Sequence, residues 1–141
     1  MKDEVLAQKI TSIQRCVARA REELERAGEN FRTQYSAQDA ALLNVVRACD
    51  SAIDLANMSI RQRRLGIPGE TRESFQILVR EQLLEHALGD RMKKMVGFRN
   101  LAVHQYRELN LDIVIAVISK GLDDLLAFAA AMKQILATGR N

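Results

Sequence analysis

Leu111-Asp112-Ile113-Val114-Ile115-Ala116-Val117-Ile118 is the stretch on which the fold class turns. Its β-branched residues read as a strand when taken alone. The residues C-terminal to it argue for a helix. Ile118, Leu122, Leu125, Ala129, Met132 and Leu136 recur at three- and four-residue steps, so one apolar phase runs on through several helical turns. A lone strand would also find no partner elsewhere in the chain. The reading is a helix from about Leu111 to Ala137, capped by Asn110 or Asp112, in an all-α protein.

The same periodicity organises the rest. Leu88 to Gln105 reads as a helix with Met92, Met95, Val96 and Leu101 as apolar positions and Gly97 as a weak point. A short helix is expected from Arg72 to about Gln82. Gly66-Ile67-Pro68-Gly69 is the clearest breaker. Before it lies a long helix capped by Ser36, with Leu42, Val46, Cys49, Ile53, Ala56 and Ile60 as its apolar stripe. Asp39, Asp50, Asp54, Asn57 and Arg61 form a polar edge about 100° away on that helix. The first helix runs from about Asp3 to Ala27 through Leu6, Ile10, Ile13, Val17, Ala20 and Leu24, and ends near Gly28. Its outer face mixes Glu22, Glu23 and Glu25 with Arg19, Arg21 and Arg26 as short-range ion pairs. The expected architecture is one domain over 1–141, an antiparallel bundle of four to five helices.

With 141 residues, 48% of them hydrophobic, the chain is long enough for one buried core. A net charge of +3 is compatible with a phosphate-bearing partner without demanding one. Cys16 and Cys49 lie far apart and lack zinc-ligand spacing, so they read as free, buried thiols and no metal site is expected. No 18-residue apolar run suggests a membrane span, and the charged start does not read as a signal peptide. The expected location is the cytoplasm.

The chemistry-bearing stretch is Arg99-Asn100-Leu101-Ala102-Val103-His104-Gln105-Tyr106. A guanidinium can grip a phosphate through two parallel hydrogen bonds. An imidazole moves protons near neutral pH. Together they suffice for metal-free phosphodiester cleavage. On an ideal helix, however, Arg99 and His104 lie about 140° apart and about 7.5 Å along the axis, whereas Asn100 and His104 share a face. Two routes remain for bringing the pair to one phosphate. The helix ends between them and the histidine swings back, or a two-fold dimer faces two copies of the motif.

This eight-residue run resembles the Arg-x4-His-x-Tyr signature of the HEPN superfamily, specifically the HepT toxins of type VII toxin–antitoxin pairs. The flanking stretches Gln38-Asp39, Asp54-Leu55-Ala56-Asn57, Leu65-Gly66-Ile67-Pro68, Lys93-Lys94-Met95-Val96-Gly97-Phe98 and Leu109-Asn110-Leu111-Asp112-Ile113 are similar as well. The resemblance implies a metal-independent endoribonuclease with no cofactor, acting as a homodimer with a composite site. It implies catalytic roles for Arg99 and His104 and a supporting role for Asn100. It further implies that Tyr106 accepts AMP from an MntA-like minimal nucleotidyltransferase antitoxin. RNA is the implied substrate, tRNA among the candidates, with Lys93, Lys94 and Arg107 placed to track its backbone. The ribose 2′-hydroxyl would be the nucleophile.

Plainer readings stand beside these. Asp50 and Asp54 either orient Arg99 across a helix interface or form a solvated, ion-paired edge. His86 reads as an exposed helix residue. Arg61, Arg63 and Arg64 either hold RNA or antitoxin, or end a helix in solvent. Met92 and Met95 fill the core or pack at a dimer seam. The alternative function is a non-catalytic RNA- or nucleotide-binding module serving a partner nucleotidyltransferase. A purely structural bundle is the third.

Overall fold

Leu6, Ile10, Ile13, Val17 and Ala20 line one stripe of α1 (Lys2–Ala27), and all are buried. They pack along α2 (Tyr35–Arg63), the longest helix, in an antiparallel pair whose register is pinned by Lys9–Asp54 and Ser12–Ser51 contacts of 2.9 Å each. The coordinates, a computed structural model, describe residues 2–138. The ends of the domain expected over 1–141 therefore lie outside the described residues. Helix α1 stops as anticipated at Gly28, whose φ of +56° a side chain would resist. A 3₁₀ turn, Gly28–Arg32, follows and buries Phe31.

Ser36 is not the cap of α2. The chain passes directly from the 3₁₀ turn into the helix at Tyr35, with Gln34 at the cap position and the Gln38 amide donating to the Phe31 carbonyl at 2.8 Å. The apolar face of α2 is also wider than the predicted stripe. Val46 and Ile53 are only half-buried, and the deepest positions are mostly small: Ala41, Val45, Ala48, Ala52 and Leu55. Small side chains let α2 sit at the centre, touching α1, α3, α4 and α6. Leu65 N–H bonds the Ile60 carbonyl and Arg64 takes a left-handed conformation, closing the helix before the glycine–proline turn.

Next come α3 (Thr71–Arg80) and α4 (His86–His104). Gly97 does not interrupt α4. Leu88, Met92, Met95, Val96, Phe98 and Ala102 are buried, which places Met92 and Met95 in the core rather than at a seam. Leu101, expected inside, is 46% exposed, because it lies on the flank of α4 opposite the core.

The strand-like stretch is helical. The Asn110 side chain accepts hydrogen bonds from the Asp112 and Ile113 N–H groups and starts α5 (Leu111–Ala116). A π-helical turn, Val117–Gly121, then joins it to α6 (Leu122–Thr138). The Arg21 Nε donates to the Ile118 carbonyl inside that turn and its Nη2 reaches Asp123 at 2.7 Å, so a side chain from α1 satisfies backbone freed by the wider winding. With this last rod taken as one, the described residues form five helices and no strand. Among them, no helix is long and apolar enough to cross a membrane.

Gly89 of α4 lies against α3, where an added Cβ would collide with the Val79 side chain. Gly89→Ala should lower unfolding stability by about 1–3 kcal/mol, measurable by urea melts; an unchanged midpoint would contradict this packing.

Candidate active site at the end of helix α4

The motif straddles a helix terminus. Arg99 and Asn100 lie in the body of α4, His104 is its last residue, and Tyr106 opens the 3₁₀ turn Tyr106–Glu108. Gln105 ends the helix with φ −132° and ψ 42°, its N–H bonding the Leu101 carbonyl at 2.8 Å. The helix therefore does not end between Arg99 and His104, and the first of the two geometric routes is closed within one chain.

Arg99 crosses to α2. Its Nε donates to Asp50 Oδ1 at 2.8 Å, and its Nη1 donates to Asn100 Oδ1 at 3.3 Å. The arginine side chain is 27% exposed and Asp50 45%. Two of the five guanidinium N–H donors are thus committed, leaving others for a phosphate. Asp50 takes the orienting role, whereas Asp54 does not: it pairs with Lys9 at 2.9 Å. His104 is exposed and, among the described residues, holds no hydrogen-bond or ion-pair partner.

Tyr106 and Arg107 line a cleft of about 350 Å³ between the start of α2 and the start of α5, together with Tyr35, Asp39, Leu42 and Leu109. Sequence reasoning missed Tyr35 and its position in this cleft; the only signal was its i, i+4 spacing to Asp39. Lys93 and Lys94 lie elsewhere, in a groove shared with Glu70 and Glu73 of the α3 region, where Lys93 reaches Asp90 at 3.5 Å. His86 also reaches Asp90 at 3.5 Å and is largely exposed. Arg61 lines a small cleft with Leu6 and Met58, away from the motif. Among the described residues no three His, Cys, Asp or Glu side chains cluster to hold a metal ion.

A five-helix bundle with Arg-x4-His-x-Tyr across the end of its fourth helix has the layout of a HEPN domain. The Ribonuclease HepT-like family model matches residues 13–132, and the chain belongs to that family. It is 41% identical to the mRNA nuclease HepT of Shewanella oneidensis over 131 residues, covering 93% of this chain and 98% of that protein. It resembles the tri-AMPylated Shewanella oneidensis HEPN toxin solved in complex with MNT antitoxin, with a TM-score of 0.86, 41% identity, and coverage of 92% and 97%. A toxin–antitoxin complex with AMP-PNP is similar at a TM-score of 0.88 and 40% identity, covering 93% of this chain and 98% of that one.

Beside the site, Cys49 is buried and free, whereas Cys16 is half-buried. Burial, then the neighbouring Asp50 charge, pushes the Cys49 thiol from 9.0 up to about 12, with Arg99 opposing. The unfolded thiol ionises first, so the stability linked to neutral Cys49 is intact below about pH 9 and is lost as pH rises toward about 12. Thermal melts across that window should show a decline that Cys49→Ala reduces. An identical decline in both proteins would show that Cys49 does not contribute.

Proposed function

We propose that this protein is the ribonuclease toxin of a toxin–antitoxin pair, with Arg99 and His104 as its catalytic residues. The observation that carries the reading is the Asp50–Arg99 contact, which holds a partly exposed guanidinium beside the end of α4 where His104 stands. In this reading, Arg99 neutralises charge on the phosphoryl oxygens as the ribose 2′-hydroxyl attacks. Such stabilisation is worth roughly 3–4 kcal/mol per donor. His104 shuttles the proton, taking it from the 2′-hydroxyl or delivering it to the leaving 5′ oxygen, for about 10²–10⁴-fold. Asn100 braces the guanidinium from its neighbouring position.

The site is composite, formed by two copies. Arg99 turns toward α2 while His104 stands alone at the helix end, so the imidazole finds its arginine on a second subunit. The apolar side chains Leu43 and Val103, 49% and 45% exposed, suit such a seam. Antiparallel α2 and α4, registered by Asp50 and Arg99, bring these two residues to the same end of the bundle.

The partner is an MntA-like nucleotidyltransferase that transfers AMP to the Tyr106 hydroxyl. The phenol is half-exposed at the mouth of the Tyr35–Arg107 cleft, open to a modifying enzyme. AMP there adds a bulky anion two residues from His104 and repels substrate phosphate. The tri-AMPylated state and MNT partner of the Shewanella oneidensis toxin support this reading. The mRNA nuclease activity of the Shewanella oneidensis relative makes mRNA the first substrate to assay, with tRNA beside it. Lys93 and Lys94, by their placement, serve the substrate only as a distal contact, while Arg107 sits beside the acceptor.

Arg99→Ala and His104→Ala should each lower RNA cleavage by at least about 10²-fold while circular dichroism stays native, and deoxy substrates should remain uncut. Full cleavage by either variant would refute the assignment. Tyr106→Phe should keep nuclease activity yet take up no AMP by intact mass when made with the antitoxin; AMP increments on that variant would move the acceptor elsewhere.

A further inference from the structure

The Lys9–Asp54 and Ser12–Ser51 contacts that register α1 against α2 also bring Arg15, Cys16 and Arg19 of α1 beside Asn44 and Arg47 of α2. The result is a shallow groove of about 610 Å³ in which Arg15, Arg19 and Arg47 stand together over small polar residues, Thr11 and Ser12 among them. All three arginines are exposed. Among the described residues none of the three has a hydrogen-bond or ion-pair partner. This sets them apart from Arg21, Arg32, Arg80, Arg91 and Arg99, each of which holds a carboxylate. The nearest acids on the same face of α2 are already engaged, Asp50 with Arg99 and Asp54 with Lys9.

We infer that this groove is a binding track for single-stranded RNA, along which Arg47, Arg15 and Arg19 hold successive stretches of backbone leading away from the Asp50 level of α2. The inference rests on the nuclease reading above and extends it to residues outside the motif. Three observations favour an RNA strand. Arg47 precedes Asp50 by three positions on α2, so the groove begins about one helical turn from the residue that holds Arg99. Guanidinium groups suit phosphate oxygens, which they bind through paired N–H donors. The groove contains none of the exposed large hydrophobic side chains, so it lacks the apolar anchors on which a protein partner would seat.

The test uses the full chain carrying His104→Ala, so that RNA is bound without being cut. Binding of a labelled single-stranded RNA is followed by fluorescence anisotropy over a salt series. Adding Arg15→Ala, Arg19→Ala and Arg47→Ala together should weaken binding at least about tenfold and make the plot of log K against log salt shallower by about 2, the loss of three phosphate contacts at roughly 0.7 each. The matching arginine-to-lysine triple should retain most of the slope, and Lys120→Ala with Lys133→Ala should leave it unchanged. If the alanine triple does not fold, the three single variants should each remove about a third of the slope change. Unchanged affinity and slope in the alanine triple overturn the track while leaving the catalytic assignment standing. An alanine triple that binds RNA normally but loses the antitoxin also overturns it and makes the groove a protein-docking surface. A His104→Ala parent that binds no RNA at all, from a wild-type protein that cuts none, overturns the nuclease reading instead.

Discussion

The bond between Asp50 and Arg99 is the constraint on which the site depends. It joins the polar edge of α2 to the last turns of α4 at 2.8 Å, across a distance of 49 residues in sequence. Both side chains keep substantial contact with water, so its contribution to folding is small, about 1 kcal/mol or less. Its consequence is positional. A free arginine would sample many rotamers, and holding its Nε fixes the plane of the guanidinium while Nη donors remain available. The small residues of α2 make this possible, because Ala48 and Ala52 let α2 lie close to its neighbours while Asp50 stays at the edge.

The end of α4 supplies the second half of the geometry. Gln105 leaves helical conformation, a single 3₁₀ turn carries Tyr106 and Arg107 outward, and the Asn110 cap restarts the helix. His104 and Tyr106 therefore sit where the backbone changes direction, open to solvent on adjacent surfaces. Tyr106 faces the cleft bounded by Tyr35 and Asp39, at the start of α2. The same continuity of α4 that presents these groups also separates His104 from Arg99, and this separation is what supports the proposed composite site.

Much of this was readable in the sequence. The phase of Ile118, Leu122 and Leu125 outweighed the strand-like composition before it, and those residues are fully buried. Asn110 caps its helix through short-range chemistry that spacing reveals. Other features were not local. Ser36 looks like a cap, yet α2 already begins at Tyr35 with Gln34 at the cap position and no side-chain cap bond. Leu101 looks like core, yet no helix covers its flank of α4. The motif pointed to the groups proposed for the chemistry, but the choice of Asp50 rather than Asp54 as the arginine's partner depends on which helix lies alongside, and Lys9 of α1 claims Asp54. The arginine groove and the Tyr35 cleft are products of helix pairing, which no single segment encodes.

The central claim is that one subunit's Arg99 works with the other's His104. Mixing Arg99→Ala protein with His104→Ala protein, followed by subunit exchange, tests it directly by RNA cleavage. The composite site predicts that the inactive proteins regain cleavage on mixing, because a mixed dimer rebuilds one intact arginine–histidine pair. A mixture that forms mixed dimers yet stays as inactive as its components would place both groups in the same chain and contradict the account.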